Sequence, residues 1–126
     1  MYNRVMVKRK FGTPQMSFSE KVLRIALSIP KGKVMTYGTI ARMAGGGPMA
    51  SQSITSILGK AYDHGEKRIP FHRIVYADGR VWINDQHREE RLRLYTNEKI
   101  RIDDRDRIID FRFHLLDPRD TESWYT

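Results

Sequence analysis

The run Gly45-Gly46-Gly47-Pro48 constrains this chain more than any other stretch, because three residues without a side chain followed by one without an amide hydrogen do not carry a helix onward. Helical periodicity reaches it from one side and restarts on the other. Upstream, Thr36 supplies an N-cap for a short helix through Tyr37, Ile40, Ala41 and Met43. Downstream, Pro48 opens a helical stretch from Met49 to about Tyr62, with Ile54, Ile57 and Leu58 as its apolar stripe. Two short helices across a glycine turn make a helix-turn-helix. The second helix has an unusual outer face. Ala50, Ser51, Ser53, Thr55 and Ser56 are small, and only Gln52 is long and polar, so the Arg and Asn side chains that read base edges in a major groove are missing.

The other elements follow from similar punctuation. Ser17 and Glu20 form a capping-box pattern ahead of Val22, Leu23, Ala26 and Leu27, and Pro30 with Gly32 stops that run, which predicts a helix over 18–29. A polar loop over 63–68 leads to Ile69-Pro70-Phe71-His72-Arg73-Ile74-Val75. Asp78-Gly79 marks a tight turn from which Val81-Trp82-Ile83 is expected to return as a strand. An Arg- and Glu-rich helix over 86–95 is expected to turn Leu92 and Leu94 inward and its charges to solvent. Ile100, Ile102, Ile109, Phe111 and Phe113 alternate like strand residues before Asp117-Pro118. The expected architecture is mainly α with a small β component, in one domain over 17–118 between a basic arm, 1–16, and a tail, 119–126.

Charge narrows the partner. Twenty-three Lys and Arg stand against fifteen Asp and Glu, a net +8, the balance of a protein that meets polyanions and above all nucleic acid. The chain has no cysteine, which removes disulfides, thiolate nucleophiles and Cys-based zinc sites. The basic segment Met1–Lys10 is not followed by the apolar core of a signal peptide, and no stretch is suited to span a bilayer, so a cytoplasmic, nucleoid-associated or nuclear location is expected. His64, His72, His87 and Glu98 fit no compact metal-ligand spacing, and no cofactor is expected. At Pro70-Phe71-His72-Arg73 a proline, a histidine and an arginine surround an inert phenyl ring, so the segment reads as a reactive site without its reactive atom.

Three segments together, Ile29-Pro30-Lys31-Gly32-Lys33-Val34, Thr36-Tyr37-Gly38-Thr39-Ile40-Ala41 and Ile69-Pro70-Phe71-His72-Arg73-Ile74-Val75, resemble the DNA-binding domain of the O6-alkylguanine-DNA alkyltransferases from about Ser17 to Pro118. The resemblance implies a winged helix-turn-helix-like domain that packs a helix of small residues, here Ala50, Ser51, Ser53 and Thr55, into the minor groove. In that family the third segment reads Pro-Cys-His-Arg, and its cysteine accepts the alkyl group. Phe71 in its place is similar to the alkyltransferase-like members, which bind alkylated bases without repairing them and mark the lesion for nucleotide excision repair.

What the resemblance implies for single residues is specific. Tyr37 sits at the phosphate beside an extruded nucleotide. Gln52 replaces the usual arginine that enters the base stack, and it lacks that group's charge and flat stacking surface. Tyr37, Phe71, Val81 and Trp82 bound the lesion pocket, Trp82 taking the place of a small residue. Pro70, His72, Arg73 and Glu98 are a structural remnant of the reactive site, with no proton left to relay. No catalytic residue and no metal ligand is expected. The expected partners are duplex DNA carrying O6-alkylguanine and nucleotide excision repair proteins, bound by a monomer; the alternative is an architectural or regulatory DNA-binding protein that kept the fold and lost lesion recognition.

Overall fold

The computed structural model describes residues 16–116, so the expected basic arm, apart from Met16, and the C-terminal tail lie outside the described residues. Ser17 opens α1 (Phe18–Leu27) with a full capping box: the Ser17 hydroxyl accepts from the Glu20 amide at 3.1 Å, and the Glu20 carboxylate accepts from the Ser17 amide at 2.9 Å. β1 (Met35–Thr36) follows and runs directly into α2 (Tyr37–Met43), whose N-cap is Thr36, accepting from the Thr39 amide at 3.1 Å. The glycine run then breaks the chain as expected.

The second helix of the pair begins as a 3-10 turn, Ala50–Ser53, and only then relaxes into α3 (Ile54–Asp63). Close packing explains the glycine at 46. A Cβ there would stand 2.4 Å from the Ala50 Cβ and 2.8 Å from Phe18 Cε1, so the 3-10 turn approaches α1 and α2 only because that side chain is absent. Beyond the loop, residues Phe71–Arg73 form a second 3-10 turn that feeds β2 (Ile74–Val75).

β1 and β2 pair in parallel, with Met35 opposite Ile74 and Thr36 opposite Val75. Side chains alternate across a strand. Met35 and Ile74 therefore enter one core, with Val22, Ile25, Ile40, Ile54 and Leu58 of the three helices, while Val34 and Val75 enter a second, with Val81, Tyr95, Ile100 and Ile108. The two-stranded sheet is the wall between them.

Three expectations fail in the second core. Val81-Trp82-Ile83 is not a strand: the chain turns at Gly79, Arg80 forms one isolated bridge to Arg107, and the Val81 amide donates to the Asp106 carbonyl at 2.8 Å. A returning strand needs a neighbour along its whole length, and 106–107 offers only two residues. The charged helix is a 3-10 turn, Asp85–His87, followed by α4 (Arg88–Asn97), and its register turns Tyr95 inward, leaves Leu92 half-buried and exposes Leu94. Phe111 and Phe113 lie on one helical turn, α5 (Phe111–His114), not a strand, because Asp110 at φ 59° swings the backbone out of extension. Phe111 and Leu115 then pack on the second core, and Val34 pairs in parallel with Leu115.

Candidate DNA-lesion site

The edge where the two halves meet carries a cavity of about 400 Å³, lined by Tyr37, Thr55, Leu58, Phe71, Ile74, Tyr76, Trp82 and Arg91. Its walls come from α2, α3, the Phe71–Arg73 turn, β2 and α4. The first residue of α2, Tyr37, is half-buried, and its ring lies 5.4 Å from that of Tyr76. Burial pushes the Tyr37 hydroxyl up from its ordinary pKa, with Tyr76 adding to the effect and a hydrogen bond from Thr55 opposing it. The phenol stays protonated and able to donate.

Phe71 forms part of the floor. Its ring meets Tyr62 edge-on at 5.9 Å and packs against the helical core. Trp82 stands at the mouth, 51% exposed, with the Arg91 guanidinium 5.8 Å from its ring centre. Phe71, Trp82 and Arg91 also border a second, more polar hollow of about 530 Å³ on the other side, where Lys67, His87 and Glu90 appear.

Below the floor lies a tight ionic network. His72 Nε2 donates to a Glu98 carboxylate oxygen at 2.7 Å, and Arg73 donates to the same oxygen through Nη2 at 2.7 Å. The Gly32 amide donates to the other oxygen at 2.9 Å, while Arg73 Nη1 donates to the Ile29 carbonyl at 2.8 Å. One carboxylate thus joins the Phe71–Arg73 turn, the end of α4 and the turn between α1 and β1. Burial alone pushes the Glu98 carboxyl up, but the hydrogen bonds from Arg73, Gly32 and His72 outweigh it and hold it at about 2. Burial holds His72 below its ordinary value against the pull of Glu98, so the imidazole is neutral near pH 7. The Tyr95 hydroxyl donates to the His72 carbonyl at 2.6 Å, and burial pushes it up to about 12.

The site residues expected from sequence fall into four places. Tyr37, Phe71 and Trp82 share the cavity. Val81 does not line it: it is 3% exposed and points into the second core, because Trp82 beside it faces out and neighbours on an extended chain diverge. Ala50, Ser51, Gln52 and Ser53 form the 3-10 turn, and Gln52 and Ser53 are exposed on it. Thr55, expected only on the helix surface, reaches the cavity. Pro70, His72, Arg73 and Glu98 converge beneath Phe71, with Pro70 at the entry of its turn.

Sequence reasoning missed Tyr76 and Arg91. Tyr76 follows β2 directly, and its alternation with Ile74 on one side of the strand was the available signal. Arg91 was lost among the α4 charges assigned to solvent; position 91, one helical turn before the inward Tyr95, was the clue. Among the described residues no three His, Asp or Glu side chains converge as a metal-binding group, and no helix is long and apolar enough to cross a membrane.

Residues 17–100 match the family described as 6-O-methylguanine DNA methyltransferase, DNA binding domain. The chain belongs to that family. Among its relatives, the DNA base-flipping protein of Escherichia coli is 37% identical over 65 residues, 52% of this chain and 48% of that protein, so the chain spans about half the length of this relative. Alkyltransferase-like protein 1 of Schizosaccharomyces pombe is 35% identical over 82 residues, 60% of this chain and 71% of that protein. The fold matches the crystal structure of S. pombe Atl1 in complex with damaged DNA containing O6-carboxymethylguanine, with TM-score 0.62 and 24% identity over 80% of this chain and 95% of that one. This family member has no cysteine anywhere in its sequence, hence no thiol acceptor.

Proposed function

We propose that this protein is a non-enzymatic sensor of O6-alkylguanine in duplex DNA. It lays the Ala50–Ser53 turn and α3 in the minor groove, extrudes the damaged nucleotide and holds its base in the aromatic cavity, with Phe71 where alkyltransferases carry their cysteine. The carrying observation is that cavity itself: Tyr37, Phe71, Tyr76 and Trp82 offer four aromatic faces and no thiol. The names of the base-flipping and alkyltransferase-like relatives, and the damaged DNA bound by the structural neighbour, support the same reading.

The energetics favour damage. Extruding a base costs a few kcal/mol, least where pairing is already weak, as at an alkylated guanine. Each alkyl carbon buried against the aromatic walls then returns about 0.8 kcal/mol. Gln52 projects from the 3-10 turn and fills the place the base leaves, and the net +8 charge supplies the phosphate attraction common to every sequence. Without a transfer step the complex persists, and we assign it the task of marking the lesion for nucleotide excision repair.

The test compares a duplex containing one O6-methylguanine with its guanine control. Tighter binding to the first, with no methyl gain in the intact protein mass, is the expected result. Equal binding sinks the sensor reading and leaves an architectural DNA binder. A 2-aminopurine beside the lesion should brighten on binding if the base leaves the stack.

A further inference from the structure

On the helix-turn-helix surface, away from the aromatic cavity and the polar hollow, α2 and the glycine turn enclose a further concavity, a notch of about 310 Å³ bordered by Gly38, Arg42, Gly46, Gly47 and Ser51. Its one charged side chain is held in place. Arg42 Nη2 donates to Thr39 Oγ1 at 3.2 Å, and Thr36 Oγ1 donates to the same oxygen at 2.9 Å while accepting the Thr39 amide. The guanidinium therefore folds back along the helix, where a Cβ at Gly38 would stand 3.5 Å from Nη1.

The arginine is also exposed and, among the described residues, has no carboxylate partner, whereas Arg68, Arg73, Arg88, Arg101 and Arg107 each have one. Among the described residues, one of its five N–H donors is engaged. An oriented, unpaired guanidinium at a notch floored by glycine suits a tetrahedral oxyanion approached by two parallel hydrogen bonds.

The position identifies which oxyanion. Tyr37 and Arg42 lie five residues apart on α2, an axial rise of about 7.5 Å and a rotation of about 140°. They leave the helix on different faces and would meet the strand at separate points. Ser51 borders the notch and Thr55 the cavity, with Gln52 between them in sequence. The geometry points to Arg42 as a grip on a backbone phosphate of the DNA strand, a second anchor alongside the nucleotide that enters at Tyr37. This rests on the DNA-binding reading but not on lesion preference, because a phosphate grip acts on every duplex. Held at two points, the strand opens between them instead of sliding.

The experiment is a salt titration of binding to the O6-methylguanine duplex and its guanine control, for the wild type, Arg42→Gln and Arg42→Lys. Arg42→Gln should weaken both duplexes by the same factor, about tenfold for one charge-assisted contact, and reduce the salt slope by about 1. Arg42→Lys should restore the slope but only part of the affinity. One neutral methylphosphonate linkage, placed in turn at each position near the lesion, should at one position weaken the wild type and leave Arg42→Gln unaffected. An unchanged slope, a loss confined to the lesion duplex, or a variant equally sensitive at every linkage overturns the assignment. Arg42 is exposed, so equal melting temperatures are the folding control. A lesion preference of one in the wild type would defeat the sensor reading while leaving this test intact.

Discussion

At the scale of single residues, the network beneath Phe71 has the most to reveal. The side chains of Glu98 and Arg73 are 6% and 14% exposed, so removing the carboxylate strands a nearly buried guanidinium. Glu98→Gln should cost about 3 kcal/mol in urea unfolding, since breaking one side of a buried pair leaves the other charge unpaired. The pH dependence separates the members. His72 is held below its ordinary pKa in the folded state, so its contribution is complete above the unfolded value, about 6.5, and declines as pH falls through it. Glu98 is held at about 2, so its contribution is present above the unfolded carboxylate value, about 4.3, and is lost as pH falls from there toward about 2. Melting curves of His72→Gln should therefore be flatter than wild type between pH 7 and 5 and still show the lower acid transition. At the cavity, Tyr37→Phe should weaken lesion binding by about 1 kcal/mol, the net worth of one hydrogen bond, with the melting temperature little changed.

Elements respond to backbone rules. Gly46→Ala places a methyl group inside contact distance of Ala50 and Phe18, and should cost about 1–3 kcal/mol as α1 and the 3-10 turn are forced apart. Its DNA affinity should fall as well, since the turn that carries Gln52 moves. Ser17→Ala removes one half of a capping box far from the cavity and should cost about 1 kcal/mol of stability with unchanged DNA binding. Caps and breakers were the legible part of this sequence: Ser17 set the start of α1 and Thr36 with the glycine run set both ends of α2, whereas Pro48 marked only the 3-10 turn, and α3 itself starts five residues later than the expected Met49. The chain after β2 was harder to anticipate. Ile109, Phe111 and Phe113 alternate in sequence, but a left-handed Asp110 turns the two phenylalanines onto a helix, and the segment before Val81-Trp82-Ile83 pairs through a single bridge at Arg80; no local pattern announces either. The cavity was half legible for the same reason: Tyr37 and Phe71 lie on well-punctuated elements, whereas Arg91 depends on the rotation of a helix charged on every side.

For the whole molecule, the match to the alkyltransferase DNA-binding family ends at residue 100, yet the second core does not. Ile108 is buried there, with Ile102, Phe111 and Leu115 packed around it, and the Leu116 amide donates to the Val34 carbonyl at 2.9 Å. A chain stopped after Ile100 should lose the cooperative urea transition of the longer protein, although it keeps the family segment; retention of a sharp transition would show that the helical core stands alone. β1 sets the order in which this molecule is completed. Val34 and Met35 face opposite cores, and their strand waits for residues 74 and 75 on one side and 115 on the other. During synthesis the helices emerge first, but the wall between the cores stays unpaired on that last side until residue 116 has left the ribosome. The helical half should therefore form before the second core, so a nascent chain is expected to pass through a stage in which Tyr37, Thr55 and Leu58 are in place and the cavity wall at Tyr76, Trp82 and Arg91 is not.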